Sequence, residues 1–198
     1  MKIEISDNIA LVGSNNTLLG NEYGELIDSH EQVVRFNNSI TEGYEKHVGS
    51  KTDIRISNGH VYIDDPVHHK QKVRLGSLDY KTSNDLNDYT LINVDNYRSG
   101  LLNKILREGI DGCPTARKIT KSYTVGMSFV LVCVDSGVVP SLFGFSLRME
   151  NRGNHYWEPV PPRRPGDRLG TNTWGHSPDL EHELLLELEQ TNKIKIYR

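Results

Sequence analysis

The sequence predicts a single α/β domain over residues 1–198, with a mostly parallel sheet and helices on both faces. Three observations lead there. Short β-rich runs alternate with stretches of helical period along the chain. The 198 residues are 36% hydrophobic and 25% charged, which suits one globular domain with one substantial core. No apolar run approaches the roughly 20 residues that a membrane-spanning helix needs. The longest, residues 127–134, is interrupted by Ser128 and closes at Asp135.

Residues 9–13 (Ile-Ala-Leu-Val-Gly) form a buried strand ending at a glycine, and residues 20–29 a loop with a short helix. Val33 to Phe36 is a second strand, closed by Asn37 and Asn38. Residues 52–57 alternate as a third, with Ile54 and Ile56 on one face, and residues 89–94 make a fourth. Residues 99–108 place Leu101, Leu102, Ile105 and Leu106 on one helical face. Residues 124–135 are apolar nearly all round, as in a fully buried helix. Residues 138–145 read as a central strand with Pro140 at its start. Ser177 and Pro178 occupy the N-cap and first position of a helix striped by Leu180, Leu184 and Leu188. Residues 194–197 close the chain as a strand. Residues 59–87 and 146–175 carry little pattern, and long stretches of that kind are active-site lids or disordered loops.

Net charge is −3, from 23 basic and 26 acidic residues, which disfavours general nucleic-acid binding. Residues 1–7 lack the apolar region of a secretory signal, so a chain starting at Met1 and a cytoplasmic location are expected. Cys113 and Cys133 are too far apart in sequence for a CxxC zinc site and too few for a disulfide framework. Cys133 reads as a small buried hydrophobe and Cys113 as a loop residue.

Ligands of open parallel sheets bind beyond the carboxyl ends of the strands. Two such ends are rich in small polar residues: Gly13-Ser14-Asn15-Asn16-Thr17 and Asn37-Asn38-Ser39. Their amides and hydroxyls can bond phosphate or ribose oxygens, although the same composition also makes plain turns. The first loop fits neither the dinucleotide nor the P-loop fingerprint. Thr124-Val125-Gly126 opens the buried helix, whose free N–H groups suit an anion. Asn154-His155-Tyr156-Trp157-Glu158 combines a histidine, aromatics and a carboxylate, as a site wall does. His176 precedes the Ser177 cap, where the positive end of a helix favours an uncharged imidazole able to accept a proton. Glu181, one turn into that helix, is expected to orient it.

Taken in order, these islands resemble the motifs of the animal-type sialyltransferase family, glycosyltransferase family 29. The long motif resembles residues 9–19, continuing through residues 25–30, 34–38 and 41–44 to residues 48–52. The short motif resembles Tyr123-Thr-Val-Gly-Met127 through Leu142-Phe-Gly-Phe145. The third is His155-Tyr-Trp-Glu158, and the very short motif runs from His176 to Glu181, followed by residues 193–197. The resemblance covers roughly half the chain. It implies a variant GT-A, Rossmann-like fold and an inverting, metal-independent transferase. That enzyme would move sialic acid from CMP-sialic acid to a glycan hydroxyl, such as that of a galactoside, without a cofactor.

Carried over position by position, the resemblance implies that Ser14, Asn15 and Asn37 face the nucleotide and that Thr124 and Gly126 hold CMP. It further implies that His155 and Tyr156 approach the phosphate and that His176 is the general base. Ser14 stands where the family commonly has asparagine, and Thr124 where it has serine. The positions of the family's usual disulfide correspond to Ile9 and Gly137, which fits a reducing compartment. Alternatives stay open: a donor such as CMP-Kdo, or a nucleotide- or glycan-binding module without catalysis. Asp64, Asp65, His68 and His69 have the ligand types of a metal site, with a solvated loop as the simpler reading. Arg163, Arg164 and Arg168 could form an anion patch or part of an acceptor lid.

Overall fold

Successive side chains of a strand point to opposite faces, so a strand apolar at every position must be covered on both sides. The first strand, β1 (Ile9–Val12), obeys this: all four residues are buried. Ile9 and Leu11 enter one core and Ala10 and Val12 the other. The computed structural model describes residues 4–37, 39–58, 71–76, 90–120, 123–145, 155–157 and 176–198.

Seven strands form one sheet in the order β5-β4-β3-β2-β1-β6-β7. They are β1, β2 (Gln32–Phe36), β3 (Ile54–Asn58), β4 (Gln71–Gly76), β5 (Thr90–Asn93), β6 (Ser141–Phe143) and β7 (Lys195–Tyr197). Every pairing is parallel. The helices are α1 (Gly24–Asp28), α2 (Glu45–Val48), α3 (Val94–Glu108), α4 (Val125–Asp135) and α5 (Pro178–Gln190), with 3-10 turns at Asn16–Gly20 and Pro114–Arg117.

Leu18, Ile27 of α1 and Val48 of α2 pack on the face of Ala10 and Val12. Ile105 of α3, Phe129 and Leu131 of α4, and Leu184 and Leu188 of α5 pack on the other. This division follows from topology. From β1 the chain steps outward to β2 and on to β5, then returns to lay β6 on the other side of β1. Right-handed crossovers running in opposite directions must lie on opposite faces. The reversal leaves a switch point between the carboxyl ends of β1 and β6, where such sheets open a crevice for ligands.

The backbones close tightly at that point. Gly13 N–H donates to the Phe143 carbonyl at 2.7 Å, and Asn15 N–H to the Gly144 carbonyl at 3.3 Å. A Cβ at Gly13 would sit 2.6 Å from the Gly144 oxygen, so no side chain fits there without moving backbone. Gly144 itself has φ +68°, a conformation that favours glycine.

Several boundaries differ from expectation. β4 lies within residues 59–87, which carry little pattern: with only Val73 and Leu75 strongly apolar, its place comes from backbone pairing to β3 and β5. α3 starts at Val94, five residues before its expected start and directly after β5. β6 spans three residues rather than residues 138–145, and Pro140 precedes it with its carbonyl accepting from Lys195 N–H. Ser177 occupies the N-cap of α5 without a side-chain cap bond. Both cysteines are free and buried, Cys113 included. Burial pushes the Cys133 thiol up to about 12. Among the described residues no helix is long and apolar enough to cross a membrane.

Replacing Gly13 by alanine is expected to cost about 2 kcal/mol, as for overpacking elsewhere in close-packed interiors. Urea unfolding checks this, and a midpoint unchanged from the parent would remove the close approach as a constraint.

Candidate functional site

The loop after β1 is held from two sides. Asn15 caps the following 3-10 turn, its Oδ1 accepting from Thr17 N–H at 2.9 Å. Across it lies the short described segment 155–157. Asn15 and His155 form an antiparallel bridge, and Tyr156 N–H donates to the Ser14 carbonyl at 3.0 Å. His155 Nδ1 lies 2.8 Å from Ser14 Oγ. Its ring stacks on Trp157 at 4.5 Å between centroids and 8° between planes. Three of the expected donor-side residues, Ser14, Asn15 and His155, therefore share one surface at the switch point, with His155 exposed.

Tyr156 faces the other way. Its ring is 3% exposed and packs edge-on to Tyr44 and Trp157. Its hydroxyl donates to the Ile40 carbonyl. The hydroxyl thus ties the 155–157 segment to the loop after β2. Burial pushes the phenol up to about 12, with Arg35 and Arg55 opposing the shift.

Asn37 follows β2 with φ +50°. Its N–H donates to the Ile56 carbonyl at 2.8 Å, and its carbonyl accepts from Arg55 Nη1 at 3.2 Å. Phe36 and Phe145 meet edge-on at 5.9 Å, and a Cβ at Gly126 would lie 3.1 Å from the Phe145 ring. The Phe145 ring thus joins the carboxyl ends of β2 and β6 to the start of α4.

At that start, Thr124 is the N-cap, its Oγ1 accepting from Met127 N–H at 3.2 Å. The same hydroxyl donates to Glu181 Oε2 at 2.7 Å, while Thr124 N–H donates to Glu181 Oε1 at 2.8 Å. A threonine has one hydroxyl proton, and here Glu181 receives it. Glu181 is 0% exposed, and its carboxylate braces α4 against α5 and complements the positive end of α4. His176 is partly buried, two residues ahead of α5, so the brace fixes the element from which it projects.

Sequence reasoning missed Arg35 and Arg55, both wholly buried. Their signal was present: a lone arginine inside Val-Val-Arg-Phe or Ile-Arg-Ile, in strands covered on both faces, must be buried and hydrogen-bonded. Among the described residues no three His, Cys, Asp or Glu side chains cluster as metal ligands would. Asp64, Asp65, His68 and His69, the arginines 163, 164 and 168, and Asn154 and Glu158 lie outside the described residues.

The model of glycosyltransferase family 29 (sialyltransferase) matches residues 6–99. That match, just under half of the chain, marks a resemblance to the family. Similar proteins include the β-1,6-galactosyltransferase GALT29A of Arabidopsis thaliana, 54% identical over 52 residues. They also include the human β-galactoside α-2,6-sialyltransferase 2, 50% identical over 60 residues. Those stretches cover 26% and 30% of this chain and 13% and 11% of the relatives' own length. A mammalian sialyltransferase crystal structure superposes with TM-score 0.64 at 20% identity, covering 96% of this chain and 68% of the other. The sialyltransferase CstII of Campylobacter jejuni superposes at 0.56 and 16%, covering 96% and 80%. At such identities the superpositions establish the shared Rossmann-like α/β fold.

Two outcomes are expected. Thr124→Val should cost about 2 kcal/mol, from a lost cap and an unsatisfied buried oxygen, while Thr124→Ser stays near the parent; urea unfolding of both checks this. For Tyr156 the folded value of about 12 exceeds its ordinary 10. Its stabilising contribution is therefore complete below pH 10 and is lost as pH rises towards 12. Tyr156→Phe should flatten the alkaline loss of stability by up to about 2 kcal/mol; an unaltered pH slope would show the phenol is not so buried.

Proposed function

We propose that this protein is an inverting, metal-independent glycosyltransferase that moves sialic acid from CMP-sialic acid to a glycan hydroxyl. The observation that carries the reading is the hydrogen bond between Ser14 and His155, 141 residues apart, at the sheet's switch point. It joins the loop after β1 to a histidine-aromatic segment at the one edge where an open parallel sheet receives ligands. The resemblance to the family over residues 6–99 supports the reaction class, and the short matched share of the relatives leaves substrate and acceptor to experiment.

The reaction is a single in-line displacement. His176 accepts the proton of the acceptor hydroxyl as the new C–O bond forms at the anomeric carbon. The bond from that carbon to the phosphate oxygen breaks, and CMP departs with the electron pair. His155 donates to the departing phosphate, and its contacts with Ser14 and Trp157 would steady it for that role. The N–H groups of Val125 and Gly126 at the start of α4 add to that stabilisation. Ser14, Asn15 and Asn37 hold the nucleotide, Thr124 keeps α4 in place, and Tyr156 fixes the segment that carries His155.

A second reading changes the sugar. The similarity to GALT29A favours a galactosyl donor as a competitor, and CMP-Kdo is a further one. Incubation with CMP-Neu5Ac, CMP-Kdo and UDP-galactose over a panel of galactosides, scored by nucleotide release and product mass, separates the three. A binding module without catalysis would retain CMP and turn over none of them.

His176→Ala is expected to abolish transfer while leaving CMP binding within about twofold of the parent; undiminished turnover rejects it as the base. His155→Ala should lower kcat by about a hundredfold and weaken donor binding. Activity that survives EDTA is expected, and its loss would reinstate a metal.

A further inference from the structure

β2 and β3 each place an arginine on the same face of the sheet, and the two are register partners. Arg35 reaches towards the amino edge: its guanidinium donates to the Val48 carbonyl at 2.7 Å, Thr52 Oγ1 at 3.0 Å and the Lys51 carbonyl at 3.1 Å. Burial pulls it down to about 10. Arg55 reaches the opposite way. Its Nη1 donates to the carbonyl of Ser39 at 2.8 Å and that of Asn37 at 3.2 Å. Keeping a guanidinium wholly out of water is costly, and an apolar residue would fill a strand interior without that cost. What Arg55 adds is two fixed carbonyls in one loop, at the edge where a ligand enters.

Asn37 has φ +50°, which a non-glycine residue holds only when its surroundings impose it. The contacts that hold it include the Arg55 bond to its carbonyl, the Ile56 carbonyl accepting its N–H, and the bond from Arg55 to the Ser39 carbonyl in the same turn. Tyr156 holds the next residue, Ile40. We propose that Arg55 is a positioning residue for nucleotide binding, presetting the Asn37 backbone so that its amide leaves the chain in the direction a bound cytidine nucleotide requires. The inference rests on the donor-binding reading of Asn37 above and deepens it. A preset loop avoids the ordering cost that a free one meets on binding.

The test is a double-mutant cycle on the full chain, with CMP binding read by calorimetry and donor kinetics alongside. Arg55→Lys keeps a cation able to reach one carbonyl, and Arg55→Gln, run in parallel, keeps a neutral N–H donor. Each is expected to weaken CMP about tenfold and to raise donor KM with kcat within about threefold of the parent. In an Asn37→Ala background the further loss should vanish, because the arginine acts through that residue. Losses that multiply, or arginine variants that bind CMP like the parent, overturn the proposal while leaving the functional reading intact. Failure of both arginine variants to fold also overturns it, since the arginine then serves the whole domain. A parent protein that neither binds CMP nor transfers from it refutes the functional reading itself.

Discussion

The close approach of Gly13 to the end of β6 is the constraint on which the site depends. Because Gly13 N–H reaches the Phe143 carbonyl at 2.7 Å and Asn15 N–H the Gly144 carbonyl at 3.3 Å, the chain leaving β1 stays against the end of β6. Any side chain at position 13 would force the two loops apart and carry Ser14 away from His155. Geometry at one glycine thus fixes the relation between motifs that are far apart in the chain.

The polar groups around the crevice are arranged in layers. Exposed groups face outward at His155, and behind them stand buried groups that hold loops. Glu181 accepts both Thr124 donors, Tyr156 caps Ile40, and Arg55 grips Asn37 and Ser39. Buried polar groups are costly unless fully engaged, and once engaged they permit few alternative arrangements. The proposed transfer would draw on such rigidity, because only interactions already aligned with a departing phosphate lower the barrier. Thr124 and Tyr156 thereby belong to the support: each hydroxyl proton is given to the protein.

Most strands and helices were legible because their burial leaves a period in the sequence. β1 is apolar throughout since both its faces are covered, and α4 is apolar all round for the same reason. β4 was illegible because its residues are held by backbone bonds to two neighbours, and the backbone carries no sequence signal. Ser14, Asn15 and Asn37 stood out as polar residues at strand ends, and His155 by its aromatic and acidic neighbours. Arg55 was passed over because a lone charge in a strand reads as surface unless both faces are known to be covered.

By itself the sequence determined the fold class, the succession of most elements and the residue types that line the crevice, since periodicity and composition are local properties. Only the tertiary structure decided that Glu181 serves Thr124, that the Tyr156 hydroxyl points inward and that Arg55 holds the Asn37 loop. Those pairings join residues 57, 116 and 18 positions apart. Hydrogen bonds of that span depend on which strand lies beside which, and strand order is set by the burial of the whole chain.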